Sequence, residues 1–316
     1  MGEADGPTVP PAGAHGGDGA RVAAALGLRP DQVLDLSASL NPGAPDLGAL
    51  ALPHLGALGR YPDVDAAEAT LAAGLDLPAD RLVITAGGAQ AIALVAAHLG
   101  AGRVDEPEFS LYRRHLARLD PDAPRWRSDP HNPSGVLAAV DEPAGVWDEA
   151  FLPLAAGVWT RHRPGWALGS LTKAFACPGL RLGYALAPDA PAADRVRRAR
   201  PAWAVGSLAC AVLPDLLAAA DPPAWTAALT KGRAELVAVL RARGWRPLAS
   251  DAPWVLVPAA AGLRDALAHQ GVVVRGCASF GLPDHVRIAV PDGDGLDRLD
   301  AALAAVVRAA GPRHPA

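Results

Sequence analysis

The sequence predicts an α/β fold, a mostly parallel central sheet flanked by helices, followed by a small α+β unit. Three observations carry this. From Arg103 to Val205, short apolar runs alternate with turns and helical stretches, the pattern of strands joined by helices. Arg81-Leu82-Val83-Ile84-Thr85 reads as a strand, Ala86-Gly87-Gly88-Ala89-Gln90 as a small-residue turn, and Ala91 to Leu99 as an apolar helix. In the last third the order changes: a long helix from Trp225 to Arg243, a strand over 254–257, a helix from Leu263 to His269, strands over 272–275 and 285–290, and a closing helix.

The earlier elements follow in order. Residues 1–14 are rich in Gly, Pro and Ala and read as a disordered tail. His15-Gly16-Gly17-Asp18-Gly19 leads into a short helix from Ala20 to Leu26, Val33 to Ser37 reads as a strand, and Asn41-Pro42-Gly43 as a turn. A further helix is expected from Ala66 to Gly74, entered from Tyr61-Pro62-Asp63. The expected domains are therefore residues 15–205, an arm with a large α/β domain, and 206–316, a small α+β domain. A strand, a glycine turn and a helix place free backbone N–H groups at a helix N-terminus, where an anion can bind.

Composition narrows the function classes. The net charge of −4 over 316 residues points to neither nucleic acid nor an anionic membrane as the main partner. The run Arg195, Arg197, Arg198 and Arg200 reads as the solvated face of a helix. Three widely spaced cysteines without a CxxC pair suggest neither a disulfide framework nor a zinc site, and a reducing, cytoplasmic compartment is expected. No apolar run reaches the length of a membrane span, and no metal site is expected.

Chemistry concentrates at Ser170-Leu171-Thr172-Lys173, followed by Gly179-Leu180-Arg181-Leu182-Gly183-Tyr184. Lys173 is one of only two lysines, kept in a chain that otherwise uses arginine for positive charge. A lysine whose amine is desolvated or set near other charge can form a Schiff base with a carbonyl. The hydroxyls of Ser170 and Thr172 and the guanidinium of Arg181 suit a phosphate, which arginine grips with two parallel donors.

S-x-T-K followed by G-x-R-x-G-Y resembles the cofactor-lysine region of class I/II aminotransferases, which are fold-type I enzymes dependent on pyridoxal 5′-phosphate (PLP). The resemblance extends over roughly residues 15–310 and implies a role for each matching position. Lys173 carries the cofactor. Asn132, in Asn132-Pro133-Ser134-Gly135, bonds its phenolic oxygen. Asp148, in Trp147-Asp148-Glu149-Ala150-Phe151, pairs with its pyridine nitrogen and keeps the ring an electron sink. Gly88, Ala89 and Gln90 match the phosphate-binding turn, and Ser170, Thr172 and Arg181 the other phosphate contacts. Tyr112 falls where an aromatic residue stacks on the ring. Tyr61 matches a residue that reaches the partner subunit's phosphate, so a homodimer is expected. Arg287 matches the arginine for a substrate carboxylate.

Within this family, His15-Gly16-Gly17 and the stretch Asp35 to Pro42 resemble L-threonine-O-3-phosphate decarboxylases, relatives of histidinol-phosphate aminotransferases. That resemblance implies a phosphorylated amino acid substrate held by His15, Gly16, Arg275 and Arg287. It also implies loss of CO2 to give 1-amino-2-propanol O-phosphate for cobalamin biosynthesis. The alternatives are a histidinol-phosphate-like aminotransferase and, from another class, a non-catalytic protein of the same fold. The chain is also abridged: Trp147 follows Asn132 by fifteen positions, where relatives fit a helix and a strand. One face of the sheet is then expected to be bare unless Trp147 or a partner covers it.

Overall fold

The computed structural model describes residues 8–310. In chain order the strands are β1 (Leu34–Asp35), β2 (Leu82–Thr85), β3 (Ala101–Val104), β4 (Arg118–Leu119), β5 (Arg125–Ser128), β6 (Val146–Asp148), β7 (Trp166–Ser170), β8 (Gly183–Leu186), β9 (Trp254–Val257), β10 (Val272–Val273), β11 (Arg275–Gly276) and β12 (Val286–Ala289). The α-helices are α1 (Gly19–Ala25), α2 (Leu47–Ala51), α3 (Val64–Leu75), α4 (Gly88–Leu99), α5 (Ser110–His115), α6 (Leu152–Ala155), α7 (Leu171–Ala174), α8 (Ala190–Ala199), α9 (Ser207–Ala218), α10 (Pro222–Ala242), α11 (Leu263–Ala268) and α12 (Gly293–Ala310). Two compact units result. One holds residues 43–132 and 136–228; the other holds 8–42, 133–135 and 229–310.

The first unit is built on a seven-stranded sheet in the order β2-β8-β7-β6-β5-β3-β4. Strands β3 to β7 run parallel, and β8 is antiparallel to both β2 and β7. On one face Val83, Trp126, Val146, Trp166 and Leu168 meet the apolar sides of α4, α5 and α8. This is the alternation the sequence predicts, with helices covering the strands they connect.

The other face shows what the abridgement does. The register sets Arg103 beside Arg125 and Arg127 beside Trp147. No α-helix forms between β5 and β6. Trp147 is nonetheless 2% exposed, because the Arg163 guanidinium lies 4.0 Å above its ring. Arg163 is fixed in turn by Asp129 at 2.9 Å. Glu142 accepts from both Arg125 and Arg127, at 2.9 and 2.8 Å, and Asp105 takes Arg125 at 2.8 Å. Arginine stems cover the apolar surface while their heads pair with acids. A cavity of about 540 Å³, lined in part by Arg103, Arg125, Trp147 and Arg163, remains on this side.

The basic run at 195–200 departs from the expected solvated face at two of its four arginines; Arg195 and Arg198 are exposed. Arg197 and Arg200 each donate to Glu68 at 2.8 Å, and Glu68 also accepts the Ile84 N–H at 2.9 Å. One buried acid on α3 therefore ties α3 to α8 and β2.

The second unit contains the antiparallel sheet β11-β12-β9 and the parallel pair β1-β10. Leu36 N–H donates to Val273 and Ala289 N–H to Leu36, which joins the two. Residues 1–7 of the expected tail lie outside the described residues. Residues 8–14 pack rather than dangle: Val9 lies against Val22, Val33 and Val273, and Pro11 accepts a hydrogen bond from Arg21.

The Glu68 clamp is open to measurement. Glu68→Ala leaves Arg200, 8% exposed, without its carboxylate, and should lower unfolding free energy by about 3 kcal/mol in urea titration. Glu68→Gln, which keeps an acceptor for Ile84 N–H, should lose less.

Candidate active site

Strands β5, β6 and β7 are parallel neighbours, so their C-terminal ends release the chain at one edge of the sheet, where ligands of α/β sheets bind. Asp148 ends β6, opposite Ser128 on β5 and Leu168 on β7. Asn132 follows β5, its N–H donating to Ser128 Oγ at 2.8 Å. Lys173 follows β7 on α7, its Nζ 5.8 Å from the centre of the Phe151 ring.

Strand β8 assembles the phosphate side. Gly183 pairs with Thr85 on one side and Ser170 on the other, so the 86–90 turn and the lysine segment become neighbours. The approach is close enough to require glycine. A Cβ on Gly183 would meet the backbone of Gly87 and Gly88 at 2.6 to 2.8 Å, and one on Gly87, at φ +78°, would meet the Arg181 guanidinium at 2.8 Å. Gly88 starts α4 beside Ser170, so the positive end of a twelve-residue helix faces the same spot as Arg181. Gln90 folds back to accept the Ala86 N–H at 2.8 Å, and Ala89 sits in the first turn.

Asp148 is set deep in the unit yet keeps part of its surface open. Burial pushes its carboxyl above the usual range, while hydrogen bonds from the Tyr112 hydroxyl at 2.8 Å and the Ala150 N–H at 3.1 Å pull it back. Among the described residues it has no ion pair.

Tyr112 is placed differently from the expectation. Its ring is wholly buried, edge-on to Phe109 at 5.8 Å and tilted on Trp126 at 5.4 Å, so it has no face to offer a cofactor. It acts on Asp148 instead. Phe109, three residues earlier and half-buried, is the aromatic ring that keeps an open surface. The first aromatic of the Pro107-x-Phe-x-x-Tyr run was the available signal. Tyr61 lies at the surface, 79% exposed, its ring tilted by 32° against Trp203 with centres 4.6 Å apart.

The remaining predicted residues lie in the second unit. Arg275 and Arg287 face each other across β11 and β12. Each guanidinium carbon lies over an aromatic ring, Arg275 over Phe280 and Arg287 over Trp254, both 4.5 Å from the ring centre. Burial lowers the pKa of Arg275 to about 10; burial and then the neighbouring Arg275 lower that of Arg287. The arm carrying His15 is fastened beside this pair. Ser37 Oγ accepts the N–H groups of Gly17 and Asp18, Asp35 accepts those of Gly19 and Ser37, and Ala14 C=O accepts from Arg275 at 3.2 Å. A Cβ on Gly16 would stand 2.0 Å from the Ser37 carbonyl oxygen, so glycine is required there.

The aminotransferase class I and II model matches residues 129–303, more than half the chain. The chain belongs to the class I and II aminotransferase family. Its members use PLP, and two features of this unit fit that group. Asp148 lacks a cation that a protonated pyridine nitrogen supplies. The Thr172 hydroxyl is buried without a hydrogen-bond partner beside Ser170, where phosphate oxygens would supply one. Among curated proteins, the chain is 32% identical to the threonine-phosphate decarboxylase of Salmonella typhimurium over 235 residues, 58% of this chain and 65% of that protein. It is 29% identical to the histidinol-phosphate aminotransferase of Halobacterium salinarum over 350 aligned positions, 89% of this chain and 93% of that protein. That alignment is longer than the chain itself, which agrees with internal shortening. A solved structure of a putative aminotransferase from Burkholderia pseudomallei superposes with a TM-score of 0.76 at 25% identity, covering 87% of this chain and 98% of that one. The L-threonine-O-3-phosphate decarboxylase of Porphyromonas gingivalis shares the fold, with a TM-score of 0.74 at 21% identity, covering 86% of this chain and 99% of that one.

Among the described residues, no cluster of His, Cys, Asp or Glu could hold a metal ion, and no helix is long and apolar enough to cross a membrane. Tyr112→Phe removes one donor from Asp148 while keeping the ring. Equilibrium titration with PLP should show about tenfold weaker binding, with the fold unchanged by circular dichroism.

Proposed function

We propose that this chain is a PLP-dependent decarboxylase of L-threonine O-3-phosphate, releasing CO2 and 1-amino-2-propanol O-phosphate. The observation that carries the reading is the Arg275 and Arg287 pair, with the His15-Gly16-Gly17 arm fastened beside it. Two buried guanidinium groups held over aromatic rings suit a substrate with two acidic groups, a carboxylate and a phosphate. His15 and the Gly16 backbone add polar contacts to the phosphate.

Lys173 holds the cofactor, Asp148 binds its ring nitrogen, Asn132 its phenolic oxygen, and Gly88, Ala89, Gln90, Ser170, Thr172 and Arg181 its phosphate. Phe109 rather than Tyr112 lies against the ring. Bound PLP supplies an electron sink for the pair left when a bond to the substrate α-carbon breaks. The chain's own contributions are orientation and proton control. Arg275 and Arg287 fix the acidic groups, Tyr112 keeps Asp148 an acceptor, and Lys173 Nζ returns a proton to the α-carbon.

A homodimer accompanies this reading. Leu52, Leu55 and Leu58 lie at three-residue spacing on the 3-10 helix Leu52–Gly59, which aligns them on one face, and all are exposed. Tyr61 and Trp203 are exposed as well. An apolar ridge of this size suits a second copy of the chain. Light scattering of the PLP-loaded protein should give twice the chain mass, and Leu55→Asp with Leu58→Asp should halve it.

The histidinol-phosphate aminotransferase reading is favoured by one observation, a likeness that takes in 89% of this chain. The deciding assay incubates PLP-loaded protein with L-threonine O-3-phosphate and no keto acid. CO2 and aminopropanol phosphate should appear, and Lys173→Ala should abolish both. Cofactor binding without CO2, but with amino transfer from histidinol phosphate to 2-oxoglutarate, would move the assignment to the aminotransferase.

A further inference from the structure

Trp254 belongs to none of the sequence motifs, yet its indole meets both sets of proposed contacts. It opens β9 and is 0% exposed. The register pairs Trp254 with Ala289 and Leu256 with Arg287. Side chains two apart on a strand share a face, so Trp254 lies diagonally across from Arg287. Its ring face therefore meets the Arg287 guanidinium carbon, 4.5 Å from the ring centre. The ring edge makes a different contact: Nε1–H donates to the Pro133 carbonyl oxygen at 2.9 Å. One side chain supports the arginine proposed for the substrate carboxylate and grips the turn that follows Asn132.

That grip is well braced. Residues 133–135 group with the second unit, where the Gly135 carbonyl accepts the N–H groups of Asp251 and Ala252 at 2.9 and 3.1 Å. Gly135 has φ +83°, and a Cβ there would stand 2.1 Å from Ser250 Oγ, so glycine lets the two segments meet. Arg233 Nη1 donates to the carbonyls of Asp251 and Ala252 at 3.1 and 3.0 Å, and Ser250 Oγ donates to the Trp254 carbonyl at 2.6 Å. Little slack separates this anchor from Asn132. The ring of Pro133 fixes its own φ, and a residue before proline is confined to extended backbone. With the Pro133 carbonyl held, the soft torsions left are ψ of Pro133 and a restricted ψ of Asn132. On its other side, Asn132 N–H donates to Ser128 Oγ at 2.8 Å. Hydrogen bonds thus bracket Asn132 before and after.

We infer that Trp254 is a positioning residue with two separable parts: its ring face sets the Arg287 guanidinium for the substrate carboxylate, and its Nε1–H, acting through Pro133, sets Asn132 for the cofactor. The inference rests on the assignments of Arg287 to substrate and Asn132 to cofactor in the proposed function. The residue type fits the double task. Phenylalanine or leucine would fill a buried strand position equally well, but neither carries a donor for the Pro133 carbonyl. Pro133 is itself buried, so a lost donor there leaves an acceptor unmet. The electron-rich face of an indole is also the aromatic surface that attracts a guanidinium most strongly.

Two variants separate the parts: Trp254→Phe keeps a ring and loses the N–H, and Trp254→Leu loses both. Two dissociation constants are measured on the full chain, for PLP by equilibrium titration and for L-threonine O-3-phosphate on the PLP-loaded protein by stopped-flow absorbance. Circular dichroism checks the fold. Trp254→Phe should weaken PLP binding about fivefold and keep substrate binding within about threefold of the parent. Trp254→Leu should weaken both, the substrate about tenfold. Double-mutant cycles distinguish positioning from lost packing. In the Asn132→Ala background, Trp254→Phe should weaken PLP binding no further, and in the Arg287→Ala background, Trp254→Leu should weaken substrate binding no further. Full additivity in either cycle, or equal loss of substrate binding in Trp254→Phe and Trp254→Leu, would overturn the inference. If Trp254→Leu fails to fold, Trp254→Phe decides alone, and unchanged PLP binding overturns it. The single variants Asn132→Ala and Arg287→Ala test the level beneath. If either leaves the affinity for its own ligand unchanged, that assignment is wrong; if both weaken binding and the Trp254 variants do not, only the role of Trp254 is lost.

Discussion

The carboxylate of Asp148 stands deep at the end of β6 with no cation beside it among the described residues, and the first unit is organised around that imbalance. A charge in that position is tolerated only if hydrogen bonds or an incoming cation offset its desolvation. Tyr112 and the Ala150 N–H offset part of it. The parallel run β5, β6, β7 brings Asn132 and Lys173 out at the same sheet edge as Asp148, so the groups proposed to meet the cofactor come from consecutive crossovers. The one antiparallel insertion, β8, has a local reason. Only a strand between β2 and β7 can set Gly183 against both Thr85 and Ser170, bringing the α4 N-terminus to the lysine segment.

The abridged stretch between Asn132 and Trp147 shows how a sheet face survives losing its helix. A parallel sheet needs both faces covered. Here Arg103, Arg125, Arg127 and Arg163 supply aliphatic stems, and Asp105, Asp129 and Glu142 neutralise their heads. Such pairs stabilise less per side chain than a packed helix, because desolvation offsets most of the Coulomb gain. They do, however, prevent Trp147 from being exposed, and they leave the β5 and β6 ends, and therefore Asn132 and Asp148, in their positions.

Much of this was legible in the sequence. The strand over 81–85, the helix over 91–99 and the terminal helices and strands announce themselves by periodicity, and their observed bounds lie within a few residues of the expected ones. The placement of Asn132, Asp148 and Lys173 after neighbouring parallel strands follows from motifs that sit at strand ends. What escaped is what periodicity does not encode. Tyr112 and Phe109 lie three residues apart on one short helical turn, and only the packing against Trp126 shows which of them is buried. Arg197 and Arg200 look like a solvated run until Glu68, more than a hundred residues earlier, is brought beneath them. Glu108 reads as one more acid in Asp105-Glu106-Pro107-Glu108, and only the packing that brings Ser128 against it shows that it is buried.

The two units share one electrostatic design with opposite signs. The first keeps an anion, Asp148, without a cationic neighbour. The second sets Arg275 and Arg287 side by side, each over an aromatic ring and depressed in pKa by burial. Neither arrangement minimises the energy of the empty protein, since each retains charge that burial disfavours. On the proposed reading, each is relieved by a ligand of the complementary sign: a protonated heterocycle in the first unit, acidic groups in the second. Discrimination then follows from the cost of omission. On that reading, a cofactor without a protonated nitrogen would leave Asp148 without a cation, and a substrate lacking one acid would forgo a charge-assisted contact. Glycine makes this possible at both places, because Gly183 and Gly16 allow backbone to approach where a Cβ would collide. Local stability is given up so that charge can be held ready for binding.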